Sequence, residues 1–451
     1  MPTTLPTLTK GARTLGSVSR RGFLVGSAAT AAGAVTVSLG ARAAGATPMA
    51  SSQGDVIVLL FLRGGNDGLS MVAPYLMPSY QTLRPTIRVK APGEFSDPTG
   101  KAGLPMLQGG NVADFALSGT FAMHPGMASL YSGAWSAGHL AVVHAVGMPA
   151  SESDTRSHFD SMRNWETGTA SWNSATGFLN RYLGGQGSLT GLPGVGRGRH
   201  LQRSLSGPVP AYSVDANGSF SVAGFSSASN NTRSRNALAA WYDAGTGDLL
   251  LQTGANTINA IGSLAGIDWN ATAYQPQNAA TYGWDDTAQQ LKEVAQLIRA
   301  NVGLRCVAID VGGWDTHEGM GMPEDAGSYY RGQVSRLADA LSAFSTDLGA
   351  GMDEVTVFTM SEFGRTINEN GSGGADHGRG SVMLAMGNKI RGGVYGSFVP
   401  TIVDGPEGDL TVMNDFRRPI SEILSVRGGA SNLSTVFPTY SQESPLGLCL
   451  A

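Results

Sequence analysis

Uninterrupted apolar runs alternate with amphipathic stretches along most of the chain. Residues 55–62 (DVIVLLFL) form a β-branched apolar run, which predicts a strand buried on both faces, as in a parallel sheet. Runs at 140–146, 304–311, 355–360 and 381–386 predict further strands. We therefore expect a sheet that is covered on both of its faces.

Helical periodicity appears between these runs. Helices are predicted at 125–138, 285–300 and 329–348, and the second of these places six apolar residues on one face: Ala288, Leu291, Val294, Ala295, Leu297 and Ile298. Strands that alternate with helices predict an α/β fold, with a mostly parallel sheet flanked by helices on both faces.

The region at 169–282 interrupts this pattern. It is rich in Ser, Asn, Gly and Thr and lacks clear periodicity, apart from a possible helix at 235–243. We interpret it as a polar insertion or cap between two parts of the α/β core, at 54–168 and 283–451.

The N-terminal residues 1–46 have the pattern of an export signal. Arg20 and Arg21 precede Phe23 and an uncharged Ala/Gly/Val-rich stretch at 25–39, and small residues follow. The stretch is shorter than the roughly 20 residues that a membrane-spanning helix needs. We expect cleavage after Ala43 or Ala46, no stable membrane anchor, and a periplasmic or secreted protein that uses the twin-arginine translocase as its export partner.

Removing this segment changes the charge of the chain. It contains five basic residues and no acidic one, so the formal net charge of −4 becomes −9. A chain this acidic lacks the basic surface that nucleic acid or anionic lipid requires. Cys306 and Cys449 are the only cysteines, which excludes a disulfide-rich scaffold and leaves open whether these two pair.

Polar residues that favour metal binding lie in four segments at the ends of predicted strands. Loops at the carboxyl ends of strands converge on one crevice in open α/β sheets, and carboxylates with neutral imidazoles bind divalent cations. The alternative is a solvated or hydrogen-bonded network of loops. The candidate metal ligands are Asp67, Asp310, Asp315, His317, Glu362, Asp376 and His377.

A fifth polar segment, at 153–168, has the pattern of a helix start. A helix N-terminus favours anions, so Ser157 could lie beside a bound phosphate or sulfate, with Arg156 as a further donor. Ser157, Arg156 and His158 are therefore the candidate catalytic residues. The alternative is that Asp154 or Thr155 only caps the helix and His158 packs locally.

Five of these stretches, together with DFRRPISEIL near the C-terminus, resemble a family of twin-arginine-exported bacterial proteins of unknown function. That family is distantly similar to the alkaline phosphatase and sulfatase superfamily. The matching stretches are LLFLRGGNDGLSMVAPY, SHFDSMRNWETG, AIDVGGWDTHEGM, FTMSEFGRT and DHGRGSVMLAMG. The resemblance implies an alkaline-phosphatase/sulfatase-like fold.

The resemblance also implies roles for individual residues. Asp67 matches a metal-binding carboxylate after the first strand, and Ser157 matches the nucleophile at a helix start. Asp310 and Asp315 resemble an acidic pair of the phosphatases. Glu362 stands in place of the aspartate of an Asp-His pair, and His377 in place of the final histidine.

Three departures from the superfamily pattern put a two-zinc site in doubt. Phe363 replaces the histidine of the Asp-His pair, His317 follows Asp315 at a shorter spacing, and Ser157 replaces the cysteine of most sulfatases. One metal ion, an altered pair of ions and an inactive site all stay open.

Two functions follow as hypotheses. The first is an exported hydrolase of small anionic phosphate or sulfate esters that depends on a divalent metal ion (Zn, Mn, Ca or Mg). The second is an inactive exported binding or assembly protein that retains the fold, which Phe363 favours.

Overall fold

The structure is a computed structural model that describes residues 55–95, 100–106, 121–214, 228–242, 248–264, 274–398 and 408–451. The proposed export signal at 1–46 lies outside these residues. No helix within the described ranges is long and apolar enough to cross a membrane.

Twelve strands occur among the described residues. They are β1 (Val56–Leu62), β2 (Val72–Ala73), β3 (Leu104–Pro105), β4 (Ala122–Met123), β5 (Leu140–Gly147), β6 (Gly194–Arg197), β7 (Ala211–Val214), β8 (Cys306–Val311), β9 (Val355–Met360), β10 (Ser381–Met386), β11 (Gly393–Tyr395) and β12 (Asn414–Asp415). Nine of them form the main sheet, and β2, β4 and β3 form a small antiparallel one.

The α-helices of the same residues are α1 (Gly68–Met71), α2 (Pro78–Leu83), α3 (Ala128–Leu130), α4 (His158–Thr167), α5 (Phe178–Gly184), α6 (Ala228–Tyr242), α7 (Leu249–Leu264), α8 (Asp286–Arg299), α9 (Tyr329–Leu348), α10 (Arg417–Glu422) and α11 (Leu433–Val436). Short 3-10 segments (Pro125–Met127, Arg203–Leu205, Gly349–Glu354) and π segments (Tyr131–Trp135, Ile423–Arg427) adjoin them. The helix predicted at 125–138 is therefore a mixed 3-10, α and π segment.

The main sheet has the strand order β11-β5-β10-β9-β1-β8-β6-β7, with β12 also paired to β5. All its pairings are parallel except those of β10, which runs antiparallel to both β5 and β9. The α/β fold class with a mostly parallel sheet is confirmed.

Side chains of β1 alternate between two apolar cores. Val56, Val58 and Leu60 belong to one cluster together with residues of α8 and α9. Ile57 and Leu59 belong to a second cluster with residues of α4, α5 and α10. Because both faces of β1 are covered by helices, an uninterrupted apolar sequence is required, as the run at 55–62 predicted.

The region at 169–282, which we expected to be an insertion or cap, contributes to the main sheet. Strands β6 and β7 extend the sheet beyond β8 in parallel register. Their sequences GVGR and AYSV are too short and too poor in apolar residues to be recognised as buried strands. The domain boundaries themselves stay a prediction.

The direction of β10 determines where the candidate residues lie. The carboxyl ends of β5, β9, β1 and β8 share one edge of the sheet, because these strands run the same way. Antiparallel β10 begins at that edge, since Ser381 pairs with Val146 near the end of β5. The loop before β10 therefore meets the loops after the other four strands.

Candidate metal centre

Three histidines and one aspartate meet at this edge of the sheet. His158 begins α4, Asp315 and His317 lie in the loop after β8, and His377 lies in the loop before β10. The potential ligand atoms of His158, Asp315 and His377 all lie within 4.8 Å of one another. His317 Nε2 is 3.4 Å from Asp315 Oδ1 and 2.8 Å from His377 Nε2. These four residues are named the His3Asp cluster below.

Each imidazole of the cluster is oriented by an oxygen atom at Nδ1. His158 Nδ1 lies 2.8 Å from Glu362 Oε1, and His317 Nδ1 lies 2.9 Å from Asp376 Oδ1. His377 Nδ1 lies 2.9 Å from the backbone oxygen of Arg156. Carboxylate and carbonyl oxygens accept, so each Nδ1 donates and each neutral ring has its lone pair at Nε2. Metal-binding histidines use the same outer contacts.

Burial and neighbouring charges keep the imidazole of His377 and the carboxylates of Asp315 and Asp376 in the protonation states that bind cations. Burial, followed by the positive charge of Arg365, lowers the pKa of His377 to about 4. Partial burial alone would raise the pKa of Asp315, but the hydrogen bond and charge of Arg365 outweigh it, so that this pKa is lowered. The hydrogen bond from His317 lowers the pKa of Asp376. His377 is thus neutral and both aspartates are ionised at neutral pH.

Arg365 links the converging loops. Its guanidinium is fully buried and donates to Asp315 Oδ1 at 2.6 Å, to the carbonyl of Gly65 at 2.7 Å and to that of Ala375 at 3.0 Å. It also contacts the carbonyl of Gly64. One side chain therefore holds the loops after β1 and β8 and the loop before β10. The sequence did not reveal this residue, because nothing in FTMSEFGRT marks its arginine as buried.

Gly64 allows the loops after β1 and β8 to approach each other. Its φ is +124°, and a Cβ at this position would overlap the backbone of Trp314 and Asp315. Its amide donates to Glu362 Oε1 at 2.8 Å, the oxygen that also holds His158. A side chain here would strain the backbone and displace Asp315.

Phe363 fills the space beside two of the imidazoles. Its ring centroid lies 4.8 Å from that of His158 and 4.5 Å from that of His377, and the residue is 3% exposed. The side chain supplies packing and offers no ligand atom. Among the described residues, His158, Asp315 and His377 are the one group of at least three potential ligands whose atoms all lie within 4.8 Å of one another.

Two of the predicted metal ligands, Asp67 and Asp310, form ion pairs with arginines. Asp67 is fully buried, caps α1, and forms an ion pair with Arg84 at 2.7 Å. Asp310 forms an ion pair with Arg63 at 2.7 Å and does not join the His3Asp cluster. Asp310 is the last residue but one of β8, and its exposed side chain accepts a hydrogen bond from Arg63.

Glu362 and Asp376, also predicted as ligands, contact the imidazoles from outside. His158, which we placed among the catalytic residues, instead points Nε2 toward Asp315 at 3.9 Å. Its partner Glu362 lies 204 positions along the chain, so local sequence carried no signal for this role.

Ser157 caps α4, since its Oγ accepts from the amide of Asp160 at 3.5 Å. Neither Asp154 nor Thr155 is the cap residue. Arg156 pairs with Asp409 and donates to the carbonyl of His377 at 3.3 Å. It lines a cleft of about 510 Å³ together with His317, Asn370, Asp376 and His377. An anion in this cleft would meet a guanidinium and two imidazoles, and also the carboxylates of Glu369 and Asp376.

A family model described as "Protein of unknown function (DUF1501)" matches residues 260–417. The match includes every residue of the His3Asp cluster except His158, and it agrees with the resemblance found in the sequence. No match is found among curated protein sequences.

Several solved structures are distantly similar to this chain. The C-terminal periplasmic domain of EcEptC from Escherichia coli is 9% identical, with 91% of this chain and 92% of that chain covered and a TM-score of 0.36. The same domain in complex with Zn gives 8% identity, 78% and 77% coverage, and a TM-score of 0.32. The lipoteichoic acid synthase LtaP from Listeria monocytogenes is 9% identical, with 82% of this chain and 78% of that chain covered and a TM-score of 0.26.

Proposed function

We propose that this protein is an exported, metal-dependent hydrolase of phosphate or sulfate esters. The observation that carries the proposal is that potential ligand atoms of His158, Asp315 and His377 all lie within 4.8 Å of one another, with His317 Nε2 beside Asp315 and His377. Each Nδ1 is held by an oxygen. His317 Nε2 and His377 Nε2 lie 2.8 Å apart with both lone pairs facing inward. Only a proton or a cation makes this contact favourable, so the donor set fits a divalent metal ion.

His158, Asp315, His317 and His377 would hold the cation. When bound, it supplies positive charge that stabilises the transferring group. Zinc suits a site of three imidazoles and one carboxylate better than calcium or magnesium, which prefer all-oxygen ligands. Glu362, Asp376 and the Arg156 carbonyl hold the Nδ1 protons and thereby fix the rings.

Arg156 and Ser157 would act on the ester. Arg156 lines the cleft beside His377, where its guanidinium can bind a nonbridging oxygen of an anionic ester. Ser157 precedes His158 in the chain and would supply the attacking oxygen. Its contact with the amide of Asp160 holds Oγ at the helix start.

The test separates capping by Ser157 from catalysis by Ser157. The metal-loaded protein would be assayed with p-nitrophenyl phosphate and p-nitrophenyl sulfate, as wild type, Ser157→Ala and Ser157→Asn. Asparagine caps a helix as well as serine does, whereas alanine loses about 1 kcal/mol. Loss of turnover in both variants, with loss of stability only in Ser157→Ala, supports the nucleophile. Full turnover of Ser157→Asn contradicts it.

In the alternative, a binding protein uses the same cluster to hold a metal ion but catalyses no reaction. Phe363, packed against two imidazoles, favours it because a second cation has no ligand there. A wild-type protein that retains its metal ion but hydrolyses neither ester under any loading condition would support this alternative.

A further inference from the structure

Arg156, which lines the cleft beside His377, is held by the carboxylate of Asp409. Its Nη2 forms an ion pair with Oδ2 of Asp409, and its Nη1 donates to the carbonyl of His377 at 3.3 Å. The side chain of Asp409 is 2% exposed, whereas that of Arg156 is 30% exposed. The buried carboxylate therefore fixes the arginine, while part of the arginine side chain stays accessible.

The burial of Asp409 gives its charge a strong effect on the cleft. Water and salt screen a buried charge much less than an exposed one. A second guanidinium, that of Arg379, has its Nε 3.4 Å from Oδ2 of Asp409, but it is also paired with Asp154 at 2.8 Å. Asp409 thus lowers the positive potential that Arg156 offers to an anion, and Arg379 does not restore it, because Asp154 compensates the charge of Arg379.

The wall of the cleft adds two more carboxylates. Besides Arg156 and two histidines, its ionisable residues are Glu369 and Asp376. Both accept hydrogen bonds from neighbouring groups, which favours their ionised forms. Together with Asp409, three carboxylates accompany one guanidinium. A divalent cation in the His3Asp cluster would at most balance them.

We propose that Asp409 is a specificity-determining residue that makes the site favour singly charged esters over doubly charged ones. Sulfate esters and phosphate diesters carry one negative charge, whereas a phosphate monoester carries nearly two at neutral pH, because its second pKa is about 6. The interaction energy of an anion with a fixed charge is proportional to the charge of the anion, so Asp409 disfavours a phosphate monoester about twice as strongly. This inference rests on the role of Arg156 in the proposed function and narrows the substrate class.

The test compares two ligands of similar shape and different charge. Benzenesulfonate carries one negative charge, phenylphosphonate carries two at alkaline pH, and neither has an ester bond to hydrolyse. Titration calorimetry measures their binding to the zinc-loaded wild type and to Asp409→Asn, which retains an acceptor oxygen for Arg156. The variant should bind benzenesulfonate about threefold and phenylphosphonate about tenfold more tightly, because the doubly charged ligand gains twice the free energy.

Asp154→Asn is the matched control, because Asp154 pairs with Arg379 and its side chain is 55% exposed. This control should leave the ratio of the two affinities unchanged, and melting temperatures show whether each variant folds. A purely structural role of Asp409 would change both affinities equally in Asp409→Asn. That result, or an unchanged affinity for both ligands, would overturn the proposal.

The wild type provides a measurement that does not depend on the folding of a variant. It should bind benzenesulfonate at least as tightly as phenylphosphonate, and tighter binding of phenylphosphonate, or no binding of either ligand, would overturn the proposal. Calorimetry requires no turnover, so the result is separate from the outcome for the hydrolase. If the protein hydrolyses neither p-nitrophenyl ester but shows the expected charge dependence, the hydrolase is refuted and the selection of anions by Asp409 is supported.

Discussion

The Nε2 atoms of His317 and His377 lie 2.8 Å apart, although both rings donate through Nδ1 to an oxygen. Two lone pairs at this distance repel each other unless a proton or a cation lies between them. The pKa of His377 is lowered to about 4, so this ring does not itself carry a second proton at neutral pH. A cation between the two rings would relieve the repulsion, which supports the proposed metal site.

The first prediction concerns the ligands. A cation that binds only the folded protein stabilises it by about 2.7 kcal/mol at a hundredfold excess over Kd. Asp315→Ala and His317→Ala should each lower the metal content and abolish the rise in melting temperature that the cation produces. Asp310→Ala is the control, because Asp310 is bound to Arg63 instead. Metal loss in Asp310→Ala alone would refute this assignment of ligands.

The second prediction concerns the outer contacts. Glu362 accepts from both His158 Nδ1 and the Gly64 amide. Glu362→Gln retains the size, and its one oxygen can still accept from both donors, but it carries no charge, so the basicity of His158 should fall. We expect metal affinity to fall about 10- to 100-fold, measured by competition with a chelator. An affinity equal to that of the wild type would show that Glu362 does not support His158.

The third prediction concerns pH. Burial lowers the pKa values of His124 to about 3 and of His144 to about 4, and His377 also has a pKa of about 4. The unfolded chain binds these protons at a pKa of about 6.5, so it holds more protons than the folded chain between pH 4 and 6.5. Stability of the metal-free protein should rise with pH across this window.

His377→Gln should reduce the slope of this rise, because it removes one of the three groups. Urea unfolding at several pH values provides the measurement. A slope that is unchanged in the variant would mean that His377 titrates alike in the folded and unfolded chains.

The sequence was sufficient for the parts of the fold that depend on local pattern. Apolar runs located β9 and β10, because a strand buried on both faces needs an uninterrupted apolar run. Periodicity located α8 and α9, because a helix buried on one face needs apolar residues at helical spacing. The pattern could not reveal β6 and β7, whose short sequences are buried only through their position beside β8. The antiparallel direction of β10 also depends on pairing rather than on composition.

The sequence located the candidate site but could not assign a role to each of its residues. Asp315, His317 and His377, predicted from their strand-end positions, lie close together, and their role as metal ligands stays a prediction. Strand-end position could not separate the aspartates that bind a neighbouring arginine, such as Asp67 with Arg84, from Asp315, since that depends on contacts between distant loops. The sequence placed His158 at a helix start. The direction of its ring depends on the contact with Glu362, a residue that is distant in the sequence.

The fourth prediction concerns export. The twin-arginine route recognises the guanidinium pair as an address, and lysine does not reproduce the planar guanidinium. Arg20→Lys combined with Arg21→Lys should leave the precursor in the cytoplasm, as measured by cell fractionation. Arg13→Lys, outside the pair, should not affect export. Periplasmic accumulation of the double variant at the wild-type level would contradict the proposed route.

The last prediction concerns Arg365, which holds the site together through its fork of donors. The fully buried guanidinium bonds Asp315 Oδ1 and the carbonyls of Gly65 and Ala375 at the same time. Arg365→Lys keeps the charge, but one ammonium cannot reach acceptors on three loops. Each carbonyl left without a donor costs about 1–3 kcal/mol, so the melting temperature should fall. Metal affinity should fall as well, because Asp315 loses its orientation.

The control is Arg63→Lys, which alters the ion pairs with Asp310 and Glu166 beside the cluster and should leave metal affinity unchanged. If both variants lost metal equally, general loosening of the sheet edge would explain the effect, and if Arg365→Lys bound metal like the wild type, Asp315 would not need the guanidinium.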